Sequence, residues 1–210
     1  MTGESTELDV ELRFADIDER QLIDAAKVDS GALSVLYRRY YSGIFGYVKR
    51  RIGNDHDTND IVSEIFMSMV HSLPRYRWTG APFQCWLLRL ATTQLNRWVR
   101  KRKFSKFWHS IDEHQVPFCD PDERVDERLE MIRQSMLALP CRFQTVLALH
   151  YFEDLSVDAI AEVLNCRSGT VKSRLSRGRE ILRRKLESMN TREKHDERRR
   201  IGILSGKVEI

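Results

Sequence analysis

A run of basic side chains between positions 172 and 184 is the part of this chain whose residue types point most clearly to a chemical task. Guanidinium and ammonium groups bind phosphate oxygens, and those that reach into the major groove of DNA also bind base edges. Glu180 is the only acid in the run, whose basic residues are Lys172, Arg174, Arg177, Arg179, Arg183 and Arg184. We therefore expect this segment to contact nucleic acid.

Helical spacing separates these charges from an apolar stripe, so the segment predicts a helix with two unlike faces. Upstream, a second helical pattern over 157–164 follows Ser156, whose hydroxyl can accept a hydrogen bond from the first turn. Three residues separate the two helices, and Ser168 is a candidate cap of the second one. The stripe of the second helix consists of Val171, Leu175, Gly178, Leu182 and Leu186.

The two predicted helices together form a helix-turn-helix, which places the start of its second helix against base edges. The same pattern also fits two surface helices of a bundle, because basic surface helices are common. The short first helix, the three-residue turn and the one-sided charge favour DNA binding. The candidate DNA contacts are Arg167, Ser168, Thr170, Lys172, Ser173, Arg174, Arg177 and Arg179.

Helical periodicity also runs through the N-terminal half, where apolar stripes cover 33–48, 61–73 and 83–98. Gly53 and Pro74 interrupt the first two stripes, and no segment shows a clear strand pattern. We therefore expect an all-α protein with two small helical domains joined by a flexible linker. The predicted divisions are an N-terminal arm (1–16), a first domain (17–103), a linker (104–126), a second domain with the helix-turn-helix (127–187) and a C-terminal tail (188–210).

The net charge is only +4, but it is distributed unevenly along the chain. Residues 97–106 hold six basic residues and no acid, whereas 112–130 hold eight acids and two arginines. This asymmetry is typical of a protein that binds nucleic acid through one part of its surface.

The sequence carries no signature of catalysis, metal binding or membrane insertion. The four cysteines include no Cys-x-x-Cys pair, which indicates free thiols in a reducing cytoplasm. His109, His114 and Cys119 do not have the spacing of a zinc site, and no phosphate loop or nucleophile–base pattern is present. We expect a cytoplasmic protein that is not an enzyme, that has no cofactor and that lacks a membrane-spanning segment or signal peptide.

Three groups of residues resemble the extracytoplasmic-function (ECF) branch of bacterial sigma factors, the promoter-recognition subunits of RNA polymerase. The first two are Leu36–Tyr40 with Asp57–Phe66, and Phe83 with Trp86–Ala91. The third and most specific group consists of Leu139-Pro140, Phe152–Ser156, Ile160–Leu164, Gly169–Leu175, Arg177–Arg179 and Leu182.

The resemblance implies a protein that binds core RNA polymerase and directs initiation at specific promoters. The second helix of the helix-turn-helix would read the −35 element of promoter DNA, and the first domain would recognise and melt the −10 element. Melting requires a surface that binds single strands, such as a basic groove with aromatic rings for unstacked bases. Trp86 lies on an apolar stripe and is expected in the core. The candidate −10 contacts are Tyr76, Trp78, Arg97, Arg100 and Lys101.

The resemblance also implies that the helix beginning at Asp57 docks on the coiled coil of the polymerase's largest subunit. Acidic side chains there would pair with a basic coiled coil. Thr58, Asn59 and Ser63 stand where the family usually has Ala, Glu and Gln, so we expect weak intrinsic affinity for core polymerase. The candidate docking residues are Asp57, Asp60, Ile61, Glu64 and Phe66.

Two hydroxyl groups of this helix suggest how its docking could be regulated. Phosphorylation of Thr58 or Ser63 would add about two negative charges to the depleted face, which would make a Ser/Thr kinase a partner. The ordinary role of hydroxyls near a helix start is capping. An anti-sigma factor is the other regulator that the resemblance implies.

Two other functions are compatible with a helix-turn-helix. A stand-alone transcriptional regulator would bind DNA without polymerase, but it has no use for the docking pattern or the basic-aromatic helix. A nucleic-acid enzyme such as a resolvase would need catalytic residues in an α/β domain, and the absence of strand patterns argues against it.

Overall fold

The computed structural model describes the backbone of residues 13–14, 17–109 and 127–205, with side chains for 13–14, 17–102 and 129–188. The described residues form helices and turns without a strand, which confirms the predicted all-α class. A short 3-10 helix, Leu73–Arg75, follows α3. The α-helices are α1 (Glu19–Ala26), α2 (Ser30–Ile52), α3 (Asp55–Ser72), α4 (Phe83–His109), α5 (Glu127–Leu137), α6 (Cys141–Tyr151), α7 (Val157–Leu164) and α8 (Ser168–Ser205).

Polar side chains fix where several helices begin. Asp18 accepts a hydrogen bond from the first turn of α1 at 2.7 Å, and Asn54 accepts one from the first turn of α3 at 2.8 Å. Ser156 accepts from the backbone N–H of Ala159 at 3.2 Å, as the sequence predicts. Each cap satisfies a donor that the helix itself cannot pair, so these starts are encoded locally.

The predicted helix-turn-helix is formed by α7 and α8. Asn165 ends α7 in the left-handed conformation (φ 48°), where the backbone N–H of Cys166 bonds back to Ala161 at 2.9 Å. The prediction that Ser168 caps α8 is wrong in its detail. Its hydroxyl donates to the carboxylate of Asp158 at 2.6 Å, so it joins the two helices of the motif.

The buried apolar residues that hold the helices together form one continuous core, to which both domains contribute. In the first domain, α1 to α4 bury residues that include Leu22, Leu36, Tyr47, Ile65 and Phe83. In the second, α6, α7 and α8 bury residues that include Val146, Leu149, Ile160, Val171 and Leu175.

The two domains are also in contact with each other, since α4 packs against α7 and α2 lies against α5 and α6. Helix α4 continues to His109 and α8 to Ser205, past the predicted domain limits at 103 and 187. Neither extension contains proline, so no strong helix breaker ends them earlier. Most of the predicted arm and linker lies outside the described residues, and the domain limits stay predictions.

Candidate nucleic-acid interface

The start of α8 presents most of the predicted DNA contacts to solvent. Val171 is fully buried and Leu175 is 4% exposed, and these two anchors fix which face of the helix points outward. The motif therefore offers one polar face for binding. Of the predicted residues, the half-buried ones are Ser168, Thr170 and Arg174, and the exposed ones are Arg167, Lys172, Ser173, Arg177 and Arg179.

Arg174 is the predicted contact that lies closest to the other domain. It lines a cavity of about 500 Å3 together with Arg100 of α4 and Arg142 of α6. The remaining lining residues are Asn96, Val99, Cys141, Thr145 and Leu164, so no acidic side chain is among the described residues of the wall. The structure therefore brings a candidate −35 contact and a candidate −10 contact to one basic cavity.

The expectation that Tyr76 offers a free ring to a base is wrong. Tyr76 is only 9% exposed, because it packs edge-on against Phe83 with ring centroids 5.2 Å apart. Its ring also lies 4.9 Å from that of Trp86, which is half-buried against the core rather than fully inside it. Trp78 is likewise half-buried. Tyr76 therefore supports the Trp86 ring from behind, and its own ring is not open to solvent.

A pocket of about 220 Å3 adjoins these rings, and the residue pattern alone did not reveal it. Arg75, Arg77 and Arg89 bring three exposed guanidinium groups to its wall, beside Tyr76 and Trp86. We call this the arginine pocket. Its guanidinium groups and the partly exposed Trp86 ring suit a nucleotide with an unstacked base. Glu162 and Val163 of α7 close the pocket from the second domain.

The basic cluster on α4 is exposed where the sequence predicts it, at Arg97, Arg100 and Lys101. Arg102 differs, because its guanidinium lies over the Trp98 ring at 4.8 Å and pairs with the Asp57 carboxylate at 2.5 Å. One member of the cluster is thus used to join α4 to α3.

Helix α3 presents only part of the predicted docking set. Asp60 and Glu64 are exposed, whereas Ile61 and Phe66 are at most 4% exposed and belong to the core. Naming those two as docking contacts was wrong, because they lie on the same apolar stripe that packs α3 into the domain. Exposed Met67 (59%) was not among the predicted residues and adds an apolar side chain to the outer face.

Asp57 is engaged within the molecule before any partner binds. Burial tends to raise the pKa of this carboxyl, but hydrogen bonds from Asn54 and Arg102 outweigh burial and lower its pKa. The carboxylate is therefore charged but neutralised locally by Arg102, which further reduces the negative charge that the predicted docking face can offer.

Thr58 and Ser63 are placed in opposite environments. Thr58 is fully buried, and its hydroxyl donates to the backbone carbonyl of Asn54 at 2.5 Å. A kinase cannot reach it in this fold, so the expectation of phosphorylation at Thr58 is not supported. Ser63 is exposed, and its hydroxyl donates to the carbonyl of Asn59 at 2.9 Å.

Within the described residues, no cluster of three or more His, Cys, Asp or Glu side chains is arranged to hold a metal ion. In that part of the chain, no helix is long and apolar enough to span a membrane. Cys85, Cys141 and Cys166 carry free thiols.

Comparisons with known proteins agree with this architecture. The family model for sigma-70 region 2 matches residues 36–105, and the model for sigma-70 region 4 matches residues 129–193. The ECF RNA polymerase sigma factor SigW of Bacillus subtilis is 29% identical, over 81% of this chain and 97% of its own. The RNA polymerase sigma-H factor of Pseudomonas aeruginosa is 28% identical, over 81% and 95%.

Solved structures show a similar fold. CnrH in complex with the cytosolic domain of CnrY has a TM-score of 0.59 at 22% identity, over 81% of this chain and 97% of that one. The sigma factor RpoE of Bartonella quintana, in complex with the anti-sigma factor NepR, has a TM-score of 0.61 at 17% identity, over 74% and 96%. With both regions matched and curated ECF relatives aligned over most of its length, this chain belongs to the sigma-70 family and to its ECF branch.

Proposed function

We propose that this ECF sigma factor reads the −35 element with the start of α8 and the −10 element with the surface formed by α4 and the arginine pocket. The observation that carries this proposal is the exposed basic face of α8, which buried Val171 and Leu175 hold in one orientation. Thr170, Lys172 and Ser173 lie in the first turns of the helix, where side chains of a helix-turn-helix reach base edges.

The remaining basic residues of α8 have a different role in this proposal. Arg177 and Arg179 lie farther along the helix and are exposed. We assign them to phosphate oxygens, which position the protein without reading sequence.

For the −10 element, the proposal rests on charge next to aromatic rings. Arg97, Arg100 and Lys101 give α4 an exposed basic surface, and Trp78 and Trp86 lie half-buried nearby in the chain. Single-stranded nucleic acid binds where cations follow the backbone and rings accept the bases. Tyr76 takes part by packing against Trp86.

The proposed polymerase contact is the outer face of α3, with Asp60, Glu64 and Met67. The partner is the coiled coil of the largest subunit, to which acidic residues bind through complementary charge. Asp57 contributes less than the sequence predicts, because Arg102 already neutralises it. We expect the affinity for core polymerase to be weak for this reason.

Regulation is proposed at the same face. Ser63 is the accessible hydroxyl, and a phosphate there would lie next in sequence to Glu64 and restore negative charge to the depleted face. A Ser/Thr kinase is thus one candidate partner. An anti-sigma factor is the other, supported by the fold shared with the sigma factor RpoE, which was solved in complex with the anti-sigma factor NepR. Both assignments are consistent with action in the cytoplasm, where core polymerase is found.

In vitro transcription with purified core polymerase tests the proposal. We expect promoter-specific transcripts that require both this protein and core polymerase, and we expect Lys172→Ala to reduce them. Ser176→Ala is the matched control, because Ser176 is exposed on the same helix and was assigned no contact. DNA binding without any core-dependent transcript would instead identify a stand-alone regulator.

A further inference from the structure

We propose that the basic cavity between α4, α6 and α8 binds a small phosphate-bearing molecule of the size of a nucleoside di- or triphosphate, and that this ligand competes with DNA for Arg100 and Arg174. The cavity has a volume of about 500 Å3. The ligand site is independent of the proposed function. The competition rests on that function, because it takes Arg100 and Arg174 as DNA contacts.

Three guanidinium groups line this cavity from three helices, namely those of Arg100, Arg142 and Arg174. Among the described residues, no carboxylate pairs with any of the three. Arg102 and Arg133 differ, because they pair with carboxylates at 2.5 and 2.6 Å. Like charges gathered at one place repel each other. An anion that enters the cavity offsets this repulsion, so the site favours a ligand with several negative charges.

A fourth positive charge lies behind the wall of the cavity. Arg51 is only 6% exposed, and one of its guanidinium nitrogens is 3.0 Å from the thiol of Cys141, which is a wall residue. The same guanidinium donates to the phenol of Tyr47 at 3.0 Å and to the side-chain oxygen of Gln144 at 3.4 Å. Burial raises the pKa of Tyr47, which keeps the phenol neutral. No carboxylate is among these partners, so the field of Arg51 adds to that of the cavity arginines.

The start of α6 also favours an anion in this cavity. Cys141 and Arg142 are the first two residues of this helix, and both line the cavity. The residue before them is Pro140, and no side-chain hydrogen bond caps the helix there. The unpaired N–H groups of a helix start carry the positive end of its dipole and bind anions. The helix therefore adds its backbone dipole to the charge of the arginines.

The size of the cavity and its apolar residues define the class of ligand. A volume of about 500 Å3 lies within the ordinary range of small-molecule sites and is too small for a DNA duplex. Guanidinium groups bind phosphate oxygens through paired N–H donors. Val99 and Leu164 are half-buried wall residues that offer an apolar contact to a base. Together these features suit a nucleoside polyphosphate better than a simple inorganic ion.

Isothermal titration calorimetry of the full-length protein with GTP, ATP and pyrophosphate tests the site. We expect saturable binding of both nucleotides, and weaker binding of pyrophosphate. Arg142→Ala should weaken nucleotide binding by about tenfold or more, and Arg142→Lys, which keeps the charge, should retain part of the affinity. Arg39→Ala is the matched control, because Arg39 is exposed, does not line the cavity and was assigned no contact.

Several results would overturn the ligand site. Wild type that shows no saturable binding would do so, and so would equal losses of affinity in Arg39→Ala and Arg142→Ala, since nucleotides would then bind to basic surface in general. Pyrophosphate bound as tightly as GTP would overturn the contact of Val99 and Leu164 with a base. Thermal unfolding gives a measurement that needs no variant, because a ligand of the folded state should raise the melting temperature of wild type.

Binding to a fluorescent DNA duplex measures the competition. GTP should release the duplex from wild type more effectively than sodium chloride of the same ionic strength. Arg142→Ala should resist this release, because Arg142 was assigned no DNA contact and the variant binds GTP weakly. Equal release by GTP and by salt would overturn the competition. If wild type binds GTP but directs no core-dependent initiation, the proposed function fails and the ligand site is still supported, since calorimetry measures it alone.

Discussion

At the scale of single residues, burial separates side chains that the sequence pattern treats alike. Thr58 and Ser63 are both hydroxyl residues on α3, yet one is enclosed by the core and the other is exposed. A charged group at the first position would lose its hydration without gaining a partner, whereas at the second it would face water and the proposed coiled coil. Regulation by phosphate is therefore physically reasonable only at Ser63.

We predict that Thr58→Glu lowers the free energy of unfolding by about 3 kcal/mol or more, because it buries a carboxyl group in place of a bonded hydroxyl. Ser63→Glu should change it by no more than about 0.5 kcal/mol. Urea denaturation of both variants provides the comparison. Equal stability of the two would show that position 58 is accessible to solvent.

The same pair of positions makes a prediction about binding. Ser63→Glu should raise the affinity for core polymerase, and the gain should shrink with added salt because it arises from exposed charges. Titration of labelled protein with core polymerase at two salt concentrations measures both effects. Ser63→Gln is the matched control, since it lengthens the side chain without adding charge. A gain with glutamine equal to that with glutamate would exclude charge as the cause.

On α8, individual residues should differ in what they contribute to DNA binding. Lys172→Ala should cost about 1–3 kcal/mol on the cognate −35 sequence and relax the preference at one base position. Arg177→Ala should weaken binding to all sequences alike and reduce the slope of log affinity against log salt by about 1. Binding of the protein to duplexes with and without the −35 element, over a salt series, distinguishes the two. Identical behaviour of both variants would contradict the division into base and phosphate contacts.

At the scale of helices, the position of most elements could be predicted from apolar spacing and from Gly53 and Pro74. The outward face of α3 was harder to predict, although the signal was present. Ile61 and Phe66 fall on the stripe with Ile65 and Met69, and that spacing alone marks them as core. Tyr76 is different, because its burial depends on Phe83, which no local pattern connects to it.

Helix α8 also shows why a small residue occurs in the middle of a basic helix. A Cβ on Gly178 would lie 3.2 Å from Leu147 and 3.3 Å from Phe143 of α6, whereas one on Gly169 would meet nothing within 4 Å. We predict that Gly178→Leu destabilises the protein by about 1–3 kcal/mol through overpacking. Gly169→Leu, on the same helix, should be neutral or slightly stabilising by helix propensity. Thermal unfolding of both variants makes the test, and equal melting temperatures would contradict close packing at Gly178.

At the scale of the whole molecule, the contacts that join the domains could not be foreseen. Arg50 and Glu153 are separated by more than one hundred positions, and only Glu153 lies in a segment that resembles the family. Their pairing depends on how the two domains pack against each other, and each domain has its own apolar pattern. Sequence periodicity identifies each domain but contains no information about which residues of the two domains contact each other.

The ion pair makes a final prediction about pH. Burial raises the pKa of Glu153, and the opposing effect of Arg50 does not fully offset it. A carboxyl whose pKa is higher in the folded protein than the ordinary 4.5 stabilises the fold below that value and loses this contribution as pH rises through the raised pKa. Glu153→Gln keeps an oxygen acceptor for Arg50 and removes the cost of burying a charge. We therefore expect Glu153→Gln to be more stable than wild type near pH 7, with a difference that shrinks as the pH falls toward 4.5. Urea denaturation of both proteins across this pH range measures the difference between their free energies of unfolding. The other carboxylates are common to both proteins, so their contributions cancel in this difference. A variant less stable than wild type at pH 7 would show that the charged Arg50–Glu153 pair itself stabilises the contact between the domains.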